Sequence, residues 1–246
     1  MQLYFDSHGS GSPTLVLLHG MSANGAVWDR FLSEFKFPGR ILVPDLRGHG
    51  RSPHGKHYGY GQHAADVAEL ISEPVYMVGH SMGGAVGLAL ASGWFGMQVE
   101  AVLAFGTKVS FSDDELAKLA TLARSGVRWF DTKTEATARF LKVSGLEGLV
   151  GAESAAAQAG VREENGRWRL AADPTTVTAA GPSFEVLYAT AKARVVLACG
   201  ANDRMVSIAE LRRFSPGAVE IADAGHNVHV EKPQALARVV TEFLNL

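Results

Sequence analysis

The chain has 246 residues, of which 47% are hydrophobic and 20% are charged, and its formal net charge is −2. This length and composition allow one globular domain with a sizeable core and an insertion. The nearly balanced charge gives no electrostatic reason to expect nucleic acid or an anionic membrane as a partner. A single cysteine, Cys199, excludes an internal disulfide and a thiolate metal site.

The sequence contains no segment typical of targeting to a membrane. Residues 1–6 lack the basic stretch and the long apolar run of a signal peptide, and no later apolar run is long enough to span a bilayer. We therefore expect a cytoplasmic protein that acts on a small molecule, without a nucleic-acid or membrane partner.

Apolar runs alternate with segments of helical periodicity over the first 106 residues. Strands are predicted at 3–5, 14–18, 40–44, 75–78 and 99–105, and helices near 27–35, 62–71 and 84–91. The alternation predicts an α/β fold with a doubly wound, mostly parallel sheet that binds ligands at the carboxyl ends of its strands.

The alternation stops at 107–182 and resumes at 183–246. Within the interrupting segment we predict helices at 112–124, 132–143 and 153–160, and no strand. The chain is therefore divided into a core formed by 1–106 and 183–246 and a helical cap formed by 107–182, packed over the strand ends.

Residues 75–84 predict a strand, a sharp turn and a helix around one serine. The pattern Gly-His-Ser-Met-Gly at 79–83 follows an apolar run and precedes small, helix-compatible residues. Its glycines leave room where the backbone reverses, so the turn can hold Ser81 in a strained conformation with its hydroxyl exposed. The backbone N–H of Met82 can then face a developing oxyanion. This context predicts a nucleophile elbow.

A serine nucleophile requires a base that is oriented by an acid, and both follow later strands. Asp203 comes just after the predicted strand at 194–198, and His226 just after the last strand. Asp223 is the competing acid, but it lies on the same short loop as His226 and is better placed to brace that loop. An acid that follows the strand at 194–198 can approach the imidazole from the side opposite Ser81, which favours Asp203 as the triad acid.

Five motifs in this order resemble those of the α/β-hydrolase family, nearly end to end outside the cap. They are His-Gly at 19–20, Asp-Leu-Arg-Gly-His-Gly-Arg-Ser at 45–52, Gly-His-Ser-Met-Gly-Gly at 79–84, Gly-Ala-Asn-Asp at 200–203, and Gly-His at 225–226 followed by Val-Glu-Lys-Pro at 230–233. The resemblance implies an α/β-hydrolase sheet with a helical cap inserted after the sixth strand. It also implies Ser81 as nucleophile, His226 as base, Asp203 as its orienter, and the N–H groups of Met21 and Met82 as oxyanion donors. Segment 45–52 looks structural in the family.

Other polar residues receive no catalytic role. His54, His57 and His63 share one region, but no carboxylate arrangement suggests zinc, and we expect no metal and no cofactor. His229 is expected to be a packing or surface residue. The basic cap residues could bind a substrate carboxylate or simply solvate the cap, and we favour the second; they are Arg124, Arg128, Arg139 and Lys142.

These residues predict a serine hydrolase that cleaves a small carboxylic ester or lactone through an acyl-enzyme. The resemblance would imply an aspartate at the elbow for the dehalogenase and epoxide-hydrolase branches of the family. The serine at this position therefore argues against both. Carbon–carbon bond hydrolysis, or the pyruvate-eliminating synthase reaction of menaquinone synthesis, is the second hypothesis because the same triad serves it. A ligand-binding receptor on the hydrolase fold is the alternative from another class.

Overall fold

A seven-stranded sheet forms the centre of the protein in the computed structural model, which describes residues 1–71 and 74–246. The described residues form ten strands: β1 (Phe5–His8), β2 (Thr14–Leu18), β3 (Arg40–Pro44), β4 (Val75–His80), β5 (Val99–Phe105), β6 (Trp129–Phe130), β7 (Val161–Glu164), β8 (Arg167–Leu170), β9 (Arg194–Gly200) and β10 (Val219–Ile221). The central sheet has the order β1-β3-β2-β4-β5-β9-β10, and only the β1–β3 pair is antiparallel. The predicted doubly wound, mostly parallel sheet is confirmed.

Helices cover both faces of this sheet. The described helices are α1 (Asp29–Glu34), α2 (Tyr60–Ala68), α3 (Met82–Ala91), α4 (Asp113–Arg124), α5 (Lys133–Val143), α6 (Ala155–Ala159), α7 (Phe184–Thr190), α8 (Ile208–Arg212), α9 (Val228–Glu231) and α10 (Pro233–Leu244). Leu15 and Leu17 of β2 pack into the core beside α1 and α10, whereas Val16 and Leu18 pack beside α2 and α3. Both faces exclude water, which explains why β2 is apolar at consecutive positions.

The insertion between β5 and α7 is only partly helical, which corrects the prediction. Besides α4, α5 and α6 it holds a three-stranded antiparallel sheet in the order β6-β8-β7. Asn165 and Gly166 join β7 to β8, and both have positive φ angles (53° and 77°), as a two-residue hairpin turn requires. The insertion also follows the fifth strand of this chain, β5, rather than the sixth. The exact boundaries at 107 and 182 remain a prediction.

Candidate active site

Ser81 lies between β4 and α3, at the turn that the sequence predicts. Its φ and ψ angles are 52° and −118°, a conformation that costs an L-residue of order 1–3 kcal/mol. The Ser81 N–H donates to Phe105 O at 2.9 Å, and Thr107 Oγ1 donates to Ser81 O at 3.0 Å. Although Ser81 occupies the N-cap position of α3, its side chain makes no capping hydrogen bond. The backbone is therefore held on both sides while the hydroxyl is not used to cap the helix.

Two glycines make this turn possible. A Cβ atom on Gly79 would overlap the carbonyl of Gly83, and one on Gly83 would overlap the carbonyl of Leu18 at the end of β2. Each contact is with backbone, which cannot move aside as a flexible side chain can. The glycines at these two positions therefore serve the close approach of β2, β4 and α3 that holds Ser81.

His226 and Asp203 meet at the carboxyl edge of the sheet. His226 Nδ1 lies 2.9 Å from Asp203 Oδ2, and the Asp203 side chain is fully buried. The other carboxylate oxygen, Oδ1, accepts hydrogen bonds from the N–H groups of Met205 (2.8 Å) and Val206 (3.2 Å). A carboxylate only accepts, so Nδ1 carries the proton, and Nε2 keeps its lone pair. Such a ring can remove a proton through Nε2.

Glu231 braces the loop that carries His226. Its carboxylate accepts from the N–H of Gly225 at 2.7 Å and from the N–H of Asn227 at 2.9 Å, one residue on either side of His226. The sequence predicts that Asp223 braces this loop. Asp223 is instead exposed, with φ 55°, and makes no hydrogen bond to any residue that the structure describes. The expected role of Asp223 is therefore wrong, and Glu231 was missed because its partners are backbone groups.

His80 connects the elbow to the same loop. Its Nε2 donates to His226 O at 3.0 Å, and its ring lies 4.7 Å from that of His226. Burial, followed by the nearby His229 and His226, lowers the pKa of His80 well below its ordinary value, so the ring is neutral. His229 is fully buried against Trp28, with ring centroids 4.8 Å apart, so of the two expected alternatives it is a packing residue and not a surface residue.

The end of β5 brings the elbow and the histidine loop together. Phe105 accepts the Ser81 N–H, and a Cβ atom on the next residue, Gly106, would lie 3.2 Å from His226 Cε1. Gly106 has φ 59°, so glycine suits this position for both space and conformation. Ser81, His226 and Asp203 thus share one end of the sheet.

The peptide between Gly20 and Met21 is fixed by a buried histidine. His19 Nε2 accepts from Leu46 N–H at 2.9 Å, so the proton resides on Nδ1, which donates to Gly20 O at 2.7 Å. Because the C=O and N–H of one planar peptide point in opposite directions, holding Gly20 O also fixes the Met21 N–H. A Cβ atom on Gly20 would lie 3.2 Å from Ser81 Cβ. The predicted oxyanion donor therefore belongs to an ordered peptide beside the serine.

Segment 45–52 ties down the loops around His19. The buried Asp45 accepts from Gly25 N–H at 2.6 Å and from the N–H and Nε of Arg51 at 2.8 and 2.9 Å. Ser52 Oγ donates back to Asp45 O. The hydrogen-bonding groups of this segment are thus paired within the protein, which fits the structural role that the resemblance implies for 45–52.

Two cavities lie on either side of the turn at residues 21–22. The first, which we call the apolar cavity, has a volume of about 520 Å³ and is bordered by Met21, Ala85 of α3, Leu116 and Leu119 of α4, and Phe184. Lys108 is the one charged residue among its described lining, and its Nζ pairs with Glu115 at 2.9 Å. This cavity suits an uncharged part of a substrate.

The second cavity, which we call the arginine cavity, has a volume of about 460 Å³. It is bordered by Ser22, by Val177, which also lines the apolar cavity, and by three arginines, Arg128, Arg139 and Arg169. Ser81 itself lines neither cavity. Met21 and Ser22, which border one cavity each, directly follow Gly20, the residue whose Cβ would lie 3.2 Å from Ser81 Cβ.

Over residues 1–71 and 74–246, no cluster of three or more histidine, cysteine or acidic side chains is placed to hold a metal ion. His54, from the predicted histidine-rich loop, instead lies 3.5 Å from Asp173 and 2.9 Å from Ala171 O. In the same described ranges, no helix is both long and apolar enough to cross a bilayer.

Comparisons with known proteins identify the family of the chain. A model of the alpha/beta hydrolase family matches residues 15–239. A Bacillus subtilis protein named as a candidate 2-succinyl-6-hydroxy-2,4-cyclohexadiene-1-carboxylate synthase is 27% identical, over 97% of this chain and 93% of its own. Lipase LipV of Mycobacterium tuberculosis is 36% identical over 37% of each chain, and a pimeloyl-[acyl-carrier protein] methyl ester esterase of Vibrio vulnificus is 36% identical over 36% of this chain and 34% of its own. For the latter two relatives, the match spans little more than a third of their length.

Solved structures share the same fold over almost the whole chain. A crystal structure of E-2-(acetamidomethylene)succinate hydrolase superposes with a TM-score of 0.83 at 22% identity, covering 99% of this chain and 95% of that one. An esterase from Mycobacterium tuberculosis superposes with a TM-score of 0.74 at 19% identity, covering 100% and 92%. The resemblance found in the sequence is confirmed: the chain belongs to the alpha/beta hydrolase family.

Proposed function

We propose that the protein hydrolyses a small-molecule carboxylic ester or lactone through an acyl-enzyme formed on Ser81. The observation that carries the proposal is the 2.9 Å contact between His226 Nδ1 and Asp203 Oδ2 beside a serine held at φ 52°. A base oriented by a buried carboxylate and a nucleophile on a strained turn are the parts that acyl transfer requires.

The reaction has two steps. His226 Nε2 takes the hydroxyl proton as Ser81 Oγ attacks the substrate carbonyl, and the N–H groups of Met21 and Met82 stabilise the oxyanion. His226 then gives that proton to the leaving alkoxide. Water, activated by the same nitrogen, attacks the acyl-enzyme and releases the acid. None of these steps needs a cofactor.

The names of the relatives support an ester substrate. Both the Vibrio vulnificus relative and a solved neighbour from Mycobacterium tuberculosis are named esterases. Elimination or carbon–carbon bond hydrolysis with the same three residues is the second candidate. It is favoured by the near full-length likeness to the Bacillus subtilis protein named as a candidate synthase, together with the three arginines under the cap.

The test measures turnover of p-nitrophenyl esters of increasing acyl length by wild type, Ser81→Ala and the control Ser10→Ala, whose serine lies in an exposed loop. We expect Ser81→Ala to lower kcat at least about 10³-fold, by analogy with removal of a serine nucleophile, and Ser10→Ala to have no effect. A fluorophosphonate probe should label wild type and not Ser81→Ala. Full activity of Ser81→Ala, or ligand binding without turnover of any ester, would refute the proposal.

A further inference from the structure

The described lining of the arginine cavity contains three arginines and one acidic residue, so its positive charge is not balanced. Arg128 follows α4, Arg139 lies on α5 one turn before Val143, and Arg169 lies on β8. The three arginines come from different segments of the cap, and all three line one space of about 460 Å³. Like charges repel, so this grouping requires a reason beyond solvation of the cap surface.

Two of the three arginines have no carboxylate partner among the residues that the structure describes. Arg139 makes neither a hydrogen bond nor an ion pair with any residue that the structure describes, although its side chain is partly buried. Arg128 contacts the ring of Phe130, with 5.1 Å from Cζ to the ring centroid, and forms no ion pair within the described chain. Both guanidinium groups are therefore available to a ligand.

The one acid that lines the cavity, Asp173, is already engaged. Its Oδ1 accepts from the N–H and the hydroxyl of Thr175 at 2.8 and 2.6 Å, and its Oδ2 faces His54. Burial raises the pKa of Asp173, but the bonds from Thr175 outweigh it and leave the pKa lowered. The Asp173 carboxylate thus caps the turn Pro174–Thr178 rather than neutralising Arg139.

Arg169 forms the buried wall of the cavity. Its side chain is only 9% exposed, its Nε donates to Leu170 O at 3.1 Å, and its Nη1 lies 3.5 Å from Glu164. Burial and then the charge of Arg169 lower the pKa of Arg162, which pairs with Arg169 across β7 and β8. A desolvated guanidinium beside two unpaired ones creates a positive potential that favours an anion.

We propose that the arginine cavity binds a carboxylate group of the substrate, at the end of the molecule away from the bond that is cleaved. This inference rests on the proposed function, because it takes the bond that is cleaved to be the one that Ser81 attacks, while the arginine cavity borders Ser22, two residues after Gly20. Guanidinium groups match carboxylates in bidentate geometry. The apolar cavity across the same turn takes the uncharged remainder, so the substrate class is an ester or lactone that carries a free carboxylate.

Kinetics on a matched pair of esters tests this assignment. Mono-p-nitrophenyl glutarate carries a carboxylate, whereas p-nitrophenyl pentanoate has the same acyl length without charge. We expect wild type to prefer the glutarate ester by about tenfold or more in kcat/KM, since a charge-assisted pair contributes of this order. Higher salt should reduce that ratio, because ions screen partly exposed charges.

Arg139→Gln should lower the ratio of the two kcat/KM values about tenfold, with most of the change in KM for the glutarate ester. Arg124→Gln is the matched control, because Arg124 lies at the end of α4, bonds only to Thr121 among the described residues and does not line the cavity. The control should leave the ratio unchanged. Equal ratios in wild type and Arg139→Gln, or an equal loss in Arg124→Gln, would overturn the inference.

A binding measurement separates this inference from the proposed function. Calorimetric titration of Ser81→Ala with glutarate should show saturable binding that Arg139→Gln, added to that variant, weakens about tenfold. Glutarate binding without ester turnover by wild type would sink the proposed function and leave the carboxylate site. Turnover of neutral esters with no glutarate binding would sink the carboxylate site alone. Binding of inorganic phosphate but not glutarate would also contradict the carboxylate assignment.

Discussion

Helices α3 and α4 both border the candidate site, but they are held in opposite ways. All ten residues of α3 are buried and none is charged, whereas none of the twelve residues of α4 is buried. The helix α3 is fixed by packing on β4 and β5. The helix α4 depends on a local capping box between Ser112 and Glu115 and on contacts with the turn Pro174–Thr178.

The proposed catalytic residues therefore lie on the well-packed core, whereas most residues that line the cavities lie on the less buried cap. The proposed nucleophile, base and acid all reside on the core, where packing and buried hydrogen bonds allow little displacement. The cap supplies most of the lining of both cavities, including Leu116 and Leu122, which are 50% and 41% exposed. Because no residue of α4 is buried, we expect this helix to open at a lower free-energy cost than α3.

Among changes that test the contrast between core and cap, the largest loss of activity is expected at Asp203 of the core. Asp203→Asn should lower kcat by about 10⁴-fold, by analogy with the same change in the serine-protease triad, because the amide no longer fixes the His226 tautomer. The measurement is kcat on one ester, after circular dichroism has shown that the variant folds.

Asp223→Asn is the comparison for that experiment. Asp223 is exposed and makes no hydrogen bond in the described structure, so we expect a change in kcat of less than about tenfold. A larger loss in Asp223→Asn than in Asp203→Asn would show that the triad acid is wrongly assigned.

A pair of leucine truncations tests the packing difference directly. Leu90→Ala in α3 removes a fully buried side chain and should lower the free energy of unfolding by about 2–5 kcal/mol. Leu116→Ala in α4 removes a half-exposed one and should change it by no more than about 0.5 kcal/mol. Urea unfolding of both variants measures this, and similar losses would break the distinction between core and cap.

The third expected contrast between core and cap is the loss of folding stability at low pH. All nine histidines lie outside residues 107–182, so their titration acts on the core. Burial, followed by the nearby His226, lowers the pKa of His229 to about 3. Between pH 6.5 and 3 the unfolded chain therefore binds a proton at this residue that the folded protein does not. Stability should fall as the pH falls through this window, by up to about 1.4 kcal/mol per pH unit for such a histidine.

The experiment compares urea unfolding of wild type and His229→Leu at pH 6.5 and pH 5.5. Wild type should lose about 1 kcal/mol more than the variant over this step. Identical losses would mean that His229 is not held neutral by burial.

The three candidate catalytic residues were predictable because each one is marked by its own neighbours in the sequence. Ser81, Asp203 and His226 each follow an apolar strand and carry recognisable neighbours, so the strand ends could be placed without tertiary information. The brace by Glu231 was not predictable, because its partners are the N–H groups at 225 and 227, which carry no side-chain signal. The role of His19 likewise depends on Leu46, which comes near it only in the folded sheet.

The cap was the least predictable region. Its strand β6 has two residues and pairs with β8 about 40 positions later, so periodicity could not reveal it. The Asn165-Gly166 pair was a usable signal for the hairpin, since this dipeptide favours positive φ at both positions. The cavity formed by Arg128, Arg139 and Arg169 depends on that sheet, which explains why the sequence alone favoured solvation of the cap.

The hydrogen bond from His80 to His226 O has a consequence for the order in which the proposed catalytic residues come together during synthesis. It joins residues 146 positions apart, and the brace on the same loop comes from Glu231. During synthesis, a chain that has already formed the elbow still lacks His226, the proposed base, and Glu231, which supports its loop. The proposed triad is therefore complete only after the residues that follow β10 have folded onto the sheet.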